Sequence, residues 1–241
     1  MNQKLLQYST LSFDCYGTLI DWETGIWDAL QPLISASRRD DIDRKTGLET
    51  FARVEDAQES ETPDLLYPEL LKRVHRTIAQ QLDLETSDSL DRAFGDSIPH
   101  WPAFADSADA LRILKQHFKL VILSNVNRDG FAASAKKLGV EFDAIYTAED
   151  VGCYKPNPRN FEYMLERLQA DHGITPDQIL HTAQSLHHDH APATAFQLAK
   201  AWIDRQDLKN SENWGATARV EQRPQVDFVF STLGEMAAHL G

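Results

Sequence analysis

Asp14 follows a short apolar run and opens onto a Gly-Thr turn, within Ser12-Phe13-Asp14-Cys15-Tyr16-Gly17-Thr18. A carboxylate held rigidly where a strand stops is placed to act as a nucleophile. Three other groups fall just beyond apolar runs in the same manner. They are Ser124-Asn125, Lys155 within Gly152-Cys153-Tyr154-Lys155-Pro156-Asn157-Pro158, and Asp189 within Gln184-Ser185-Leu186-His187-His188-Asp189-His190. In an open parallel sheet the carboxyl ends of the strands share one edge, and ligands bind there. An acid, a hydroxyl–amide pair, a lysine and a second acid, far apart in sequence, then converge on one crevice. Asp189 has a second reading, as the cap of a helix beginning near Ala191.

The histidines around Asp189 invite a metal reading. Adjacent histidines at a helix start point in different directions, and neither a cysteine nor a spaced His pair joins them. They are expected to be structural. Cys15 and Cys153 are expected to be small packing residues.

The elements that must position these groups are legible as short apolar runs rich in β-branched residues: Leu11 to Cys15, Leu120 to Leu123, Ala144 to Thr147, Ile179 to Ala183, Ala201 to Ile203 and Val226 to Phe230. Helical patterns separate them, at Ala108 to His117, Phe161 to Gln169, Ala191 to Leu198 and Leu233 to Leu240. This alternation predicts an α/β doubly wound parallel sheet. From Asp21 to His100 only helical patterns appear, Tyr67 to Leu82 being the clearest. That is too long for an ordinary crossover and predicts a helical cap over the strand ends. Ile98-Pro99-His100-Trp101-Pro102 reads as its return hinge, since two prolines bar helix continuation. The polar stretch Gln206 to Pro224 reads as a surface loop.

A chain of 241 residues suffices for one core with an inserted cap. Its 42% apolar and 25% charged content is ordinary for a soluble globular protein. A net charge of −13 argues against a nucleic-acid partner, and an anionic substrate would need a locally positive pocket. No apolar run approaches the roughly 18 residues of a membrane span, and the N-terminal stretch lacks the apolar centre of a secretory signal. With only two cysteines there is no disulfide framework, and the expected setting is cytoplasmic, with no membrane partner.

Taken in order, the motifs resemble the haloacid dehalogenase superfamily over nearly the whole chain, and within it the type II (L-2-haloacid) dehalogenases. The resemblance rests on Asp14-Cys15-Tyr16-Gly17-Thr18, Leu123-Ser124-Asn125, Tyr154-Lys155-Pro156-Asn157-Pro158 and Trp202-Ile203-Asp204-Arg205. It implies a Rossmann-like core of residues 1–20 and 101–241 with a helical cap at 21–100. It also implies cleavage of the carbon–halogen bond of a small anionic 2-haloalkanoate. Asp14 would displace halide to form an aspartyl ester, which water then hydrolyses. Lys155 would keep Asp14 ionised and meet the substrate carboxylate, and Thr18 would fix the Asp14 rotamer. Ser124 would donate to that carboxylate and Asn125 to the departing halide, Tyr16 would belong to the substrate site, and Asp189 would orient the water. A cap arginine would receive halide: Arg38, Arg39, Arg44 and Arg53 are the candidates, Arg44 and Arg53 foremost, with Glu55 placed to pair with Arg53. Trp22, Trp27 and Tyr67 would shape selectivity, and a homodimer through the cap is implied.

Phosphatases of the superfamily carry a second Asp two residues after the nucleophile, which protonates an alkoxide leaving group. Here Tyr16 occupies that place, and its ordinary pKa of about 10 unfits it for the task. Halide needs no proton. Gln184 stands where those phosphatases place a Mg2+-binding Asp. No cofactor and no dedicated metal site are therefore expected, with at most loose Mg2+ at Asp14 and Asp189. The chain departs from the dehalogenase branch at Phe161, where the branch has Tyr, and at Gln184-Ser185-Leu186, where it has Ser-Ser-Asn. The alternatives are a Mg2+-dependent phosphatase acting on a small phosphate ester and a catalytically quiet binding protein on the same scaffold.

Overall fold

In the computed structural model, which describes residues 2–211 and 215–240, six strands form one sheet: β1 Thr10–Phe13, β2 Lys119–Ser124, β3 Ala144–Thr147, β4 Ile179–Ala183, β5 Ala199–Ile203 and β6 Phe228–Phe230. Their order is β3-β2-β1-β4-β5-β6, and every pairing is parallel. All residues of β1 and β4 are buried, as expected of central strands covered by helices on both faces. After β3 the chain crosses back over the sheet to β4, so the strand order reverses beside β1. A crevice outside the carboxyl ends of β1 and β4 follows from that topology.

The covering helices are α1 Asn2–Leu5, α6 Ser107–Leu114, α7 Arg128–Leu138, α8 Ala148–Val151, α9 Arg159–His172, α10 Ala191–Ala195 and α11 Leu233–Ala238. Between β1 and β2 lie four more: α2 Trp22–Ala36, α3 Arg44–Glu61, α4 Tyr67–Gln81 and α5 Asp88–Gly95. No strand occurs in this insert among the described residues. Local chemistry sets its boundaries. Asp21, Asp43 and Ser87 each accept a backbone N–H of the first helical turn, capping α2, α3 and α5. In α4, Leu70, Leu71, Val74 and Ile78 form one buried stripe at helical spacing.

The expected hinge is a 3-10 turn at Ile98–His100, after which Trp101 buries against α2. Gly25 permits this, because a Cβ there would fall 2.2 Å from the Trp101 ring. Several expected boundaries move by a few residues. β1 stops at Phe13, before the nucleophile turn begins, and α10 stops at Ala195, because Gln197 takes a left-handed backbone (φ 56°) that ends the helix.

Candidate active site

Asp14 leaves β1 at the centre of the sheet, and the turn behind it requires Gly17, whose φ is 97°. A side chain there would also press on Trp22 Nε1 and Gln184 Oε1, at 3.2 and 3.3 Å. The turn is braced from below: Thr18 Oγ1 donates to Asp14 Oδ2 (2.7 Å) and accepts from Gln184 N (2.9 Å), and Arg205 Nε donates to Thr18 O (2.9 Å). Trp202 Nε1 holds Gln184 O at 2.9 Å. The Trp202–Arg205 segment thus fixes the nucleophile turn from β5, across the end of β4.

Lys155 is 2% exposed, and its ammonium has three partners: Asp14 Oδ1 (3.0 Å), Asp189 Oδ1 (2.7 Å) and Leu123 O (3.0 Å). All three N–H bonds are used, so the cation is a fixed bridge between two acids. Asp189 sits in a π-helical turn, Leu186–His190, directly after β4. This turn carries Asp189 toward Lys155, and the helix-cap reading of Asp189 is not what the structure contains. Its Oδ1 also meets His181 Nε2 (3.1 Å), and His181 Nδ1 meets Ser12 Oγ (2.9 Å). Oδ2 has no partner among the described residues, yet Asp189 lines the cavity. Sequence reasoning missed His181, because a histidine inside an apolar strand gives no pattern of its own.

The charges separate accordingly. Burial works against Asp189 as an anion, but Lys155 and then His181 outweigh it and hold the carboxyl well below the usual range. Burial pushes Asp14 above its ordinary value, and the nearby Asp189 adds to this against the pull of Lys155 and Thr18. Burial also disfavours the charged Lys155, but its two carboxylates raise it overall.

A cavity of about 370 Å3 opens onto Asp14, Lys155 and Asp189. The insert contributes Glu49, Ala52, Arg53, Asp56 and Glu59, one face of α3 at helical spacing, together with Glu55, Trp22 and Tyr67. The far wall is the segment 215–219, so part of the expected surface loop encloses the site and brings Arg219 to it.

The arrangement corrects several expectations. Arg44, at the first turn of α3, is exposed, donates to Thr24 Oγ1 (3.2 Å) and does not line the cavity. Arg39 pairs with Asp41, and neither it nor Arg38 reaches the cavity lining. Arg53 does line it, though its guanidinium donates to Gln81 Oε1 (2.7 Å) and not to Glu55. Residues two apart on a helix diverge, and Glu55 instead accepts from the Tyr67 hydroxyl. Trp27 packs by Gly47, away from the cavity.

Tyr16 presents only its ring, since its hydroxyl meets Ser134 Oγ at 2.9 Å. The Asn125 amide is likewise committed: Nδ2 donates to Glu59 Oε1 (3.2 Å) and Lys155 O (3.1 Å), while Oδ1 accepts from Lys155 N (2.7 Å). Asn125 therefore holds the lysine loop and the cap acid, not an open halide position. Ser124 is buried with its hydroxyl unpartnered among the described residues, and it lies outside the cavity lining. Phe161 packs its edge on His181, ring centres 5.0 Å apart, where a Tyr would need a hydroxyl partner. The acidity of the cap wall is lessened by burial, which pushes Glu55 up to about 7 and Glu59 well above the usual carboxylate range.

Comparison with known proteins agrees with this geometry. A family model for haloacid dehalogenase-like hydrolases matches residues 8–182. The chain is 30% identical over 172 residues to the (S)-2-haloacid dehalogenase 4A of Burkholderia cepacia, covering 69% of this chain and 71% of that one. It is 27% identical over 165 residues to an (S)-2-haloacid dehalogenase of Pseudomonas putida, covering 67% of this chain but only 66% of that protein's length. The L-2-haloacid dehalogenase structure from Xanthobacter autotrophicus superposes with a TM-score of 0.75 at 19% identity, over 96% of this chain and 97% of that one, and so shares the fold. On motifs, sheet topology and family model alike, the chain belongs to the haloacid dehalogenase-like hydrolases.

Proposed function

We propose that the protein hydrolyses the carbon–halogen bond of small 2-haloalkanoic acids through an aspartyl ester on Asp14. One observation carries this reading. Asp14 is held by Lys155 and Thr18 at the cavity, while neither residue on which an oxygen leaving group and Mg2+ would depend is the carboxylate that those tasks call for. The Tyr16 hydroxyl is bound to Ser134, and Gln184, whose Nε2 donates to Gln206 Oε1 at 2.7 Å, offers Mg2+ a neutral amide oxygen in place of a carboxylate. A reaction whose leaving group departs without a proton suits such a site. The named activity of the Burkholderia and Pseudomonas relatives supports the same chemistry.

In the first step one Asp14 oxygen forms a bond to the substrate's C2, and the carbon–halogen bond breaks to release halide. Lys155 and Thr18 fix the carboxylate in a single orientation for that attack. In the second step water adds to the Asp14 carbonyl carbon and gives its proton to Asp189 Oδ2, the unpartnered oxygen of a residue that lines the cavity. The acyl C–O bond of the ester breaks, the proton held by Asp189 passes to the departing alkoxide oxygen, and the 2-hydroxy acid leaves with the former Asp14 oxygen. Arg53 and Arg219 are the cavity-lining cations that can meet a substrate carboxylate, while Lys155, with its three N–H bonds spent, adds only its charge.

The reaction requires no cofactor at Asp14. The net charge of −13 and the unpaired, buried Cys15 and Cys153 support a cytoplasmic protein without nucleic-acid partners. Among the described residues no helix is long and apolar enough to cross a membrane.

The test is a single turnover of L-2-chloropropionate in 18O-labelled water. Halide release unchanged by added Mg2+, with unlabelled oxygen in the first product, is the expected result. Labelled oxygen in that product would exclude the ester. Absence of halide release alongside Mg2+-dependent hydrolysis of p-nitrophenyl phosphate would favour the phosphatase alternative.

A further inference from the structure

The cavity wall carries a group of side chains that the displacement at Asp14 does not use. Asp56 on α3 meets His187 and His188 from the π-helical turn, and one ligand-capable atom of each lies within 4.8 Å of the others. Zinc bonds of about 2.0–2.2 Å in a tetrahedron set donors about 3.4 Å apart, so small side-chain rotations close the remaining distance.

His188 is already oriented for this. Its Nδ1 lies 3.2 Å from Ser185 Oγ, which also accepts the His188 backbone N–H at 3.0 Å. Its Nε2 is shut off from solvent and has no hydrogen-bond partner among the described residues, although the ring lines the cavity. A ring with one nitrogen anchored and the other idle is the arrangement that metal-ligating histidines adopt. The two neighbouring rings stand nearly perpendicular (76°) with centres 4.9 Å apart, so they approach a shared point from different directions. Seen in sequence alone, that divergence counts against a metal. Once Asp56 arrives from the insert it becomes the geometry a three-ligand site needs.

We propose that Asp56, His187 and His188 form a binding site for a zinc-class transition-metal dication, joining the helical insert to the sheet core across the cavity. Two imidazoles and one carboxylate suit Zn2+, Co2+ or Ni2+, whereas Mg2+ and Ca2+ prefer all-oxygen shells. Three protein ligands leave a coordination position open for water or for a carboxylate in the cavity. The metal ties α3 to the turn after β4. The site stands or falls independently of the reaction at Asp14, because its test reads metal uptake and not turnover.

Full-length protein stripped of metal is titrated with ZnCl2 by calorimetry, and with CoCl2 by visible absorption. One equivalent of each is expected to bind, with the strong ligand-field bands of a four-coordinate site, unaffected by millimolar Mg2+. Asp56→Ala, at an exposed position that the fold does not depend on, should weaken binding at least about tenfold, as should His188→Ala. His100→Ala, an exposed histidine on the hinge, should leave it unchanged. Zn2+ should raise the melting temperature of the parent and leave that of Asp56→Ala unmoved. No uptake by the parent, or uptake equally strong in Asp56→Ala and in the His187→Ala/His188→Ala double variant, overturns the proposal.

Discussion

Among the described residues there are two buried histidine–carboxylate pairs, one in the helical insert and one in the sheet core. In the insert His75 Nδ1 lies 2.8 Å from Asp91 Oδ1, and in the core His181 Nε2 lies 3.1 Å from Asp189 Oδ1. Asp91 is saturated: Oδ1 also accepts from Thr86 Oγ1 (2.8 Å), and Oδ2 accepts from Arg76 Nε. Asp189 takes both of its bonds on Oδ1 and keeps Oδ2 free beside the cavity. A buried acceptor left open costs on the order of 1–3 kcal/mol. Asp91 carries no such cost and clamps α4 to α5, while Asp189 retains it where a water can be received. Proximity of histidine and acid is common to both pairs. Saturation separates a clamp from a reactive group.

The sharpest break would come from removing the nucleophile itself. Asp14→Asn should lower kcat by about 10^4-fold or more, with the melting temperature nearly unchanged. Turnover near the parent's would dismiss the ester route. Asp189→Asn should cost about 10^2- to 10^3-fold in kcat and make the aspartyl ester accumulate, visible as a covalent adduct by mass spectrometry. If the adduct does not build up, Oδ2 does not serve the hydrolytic water.

Asp91→Asn should do the reverse, removing about 3 kcal/mol of stability in denaturant melts while kcat/KM of the folded enzyme stays within about twofold. A large catalytic defect there would collapse the distinction between the two pairs. His181→Gln should lower kcat about tenfold and alter its pH profile, since it acts only through Asp189.

The smallest effects are those of pH. Asp91 is held below its ordinary 3.8, so its stabilising contribution is complete above that value and lost as pH falls through the folded value. His75 is lowered from 6.5 by burial; the unfolded chain therefore takes up its proton first, and stability declines as pH drops below 6.5. Acid melts of the parent should accordingly begin to weaken below about pH 6.5; Asp91→Asn should flatten the lowest part of that curve and, by removing the acid that supports the His75 cation, lower His75 further and deepen the loss below 6.5. The acid limb of kcat/KM should lie above 3.8, because burial raises Asp14. A limb at or below 3.8 would mean that Asp14 is not the group titrating.

Much of the frame was legible from sequence. Ala144–Thr147 and Ile179–Ala183 are strands with the expected ends, and Tyr67 begins α4 as predicted, because each is a local apolar pattern bounded by polar residues. α7 was not, since its RDGFAASAKKL is rich in small residues and shows little apolar periodicity. Within the site, Asp14, Thr18, Lys155 and Asp189 meet as expected, being tied to strand ends that the topology brings together. The cap arginines were not resolvable, because which face of α3 turns inward depends on how the insert packs. That packing selects Arg53 over Arg44 and lines the cavity with Glu49, Glu55, Asp56 and Glu59 as well. Arg219 escaped notice for a similar reason: a polar loop gives no sign of whether it lies on the surface or closes a wall.

The sequence by itself determined the alternation of strands and helices, the length of the insert, the carboxylate at the end of β1, and the absence of a second acid at position 16. These are properties of single residues and short periods, and they survive without knowledge of neighbours. Only the tertiary structure decided what each polar atom touches. It tied the Tyr16 hydroxyl to Ser134 and the Asn125 amide to Glu59, left one Asp189 oxygen open, and set Asp56 beside two histidines from the other side of the cavity. Hydrogen bonds and metal-ligand distances act over about 3 Å. Which distant segments come within that reach is fixed by packing, not by spacing along the chain.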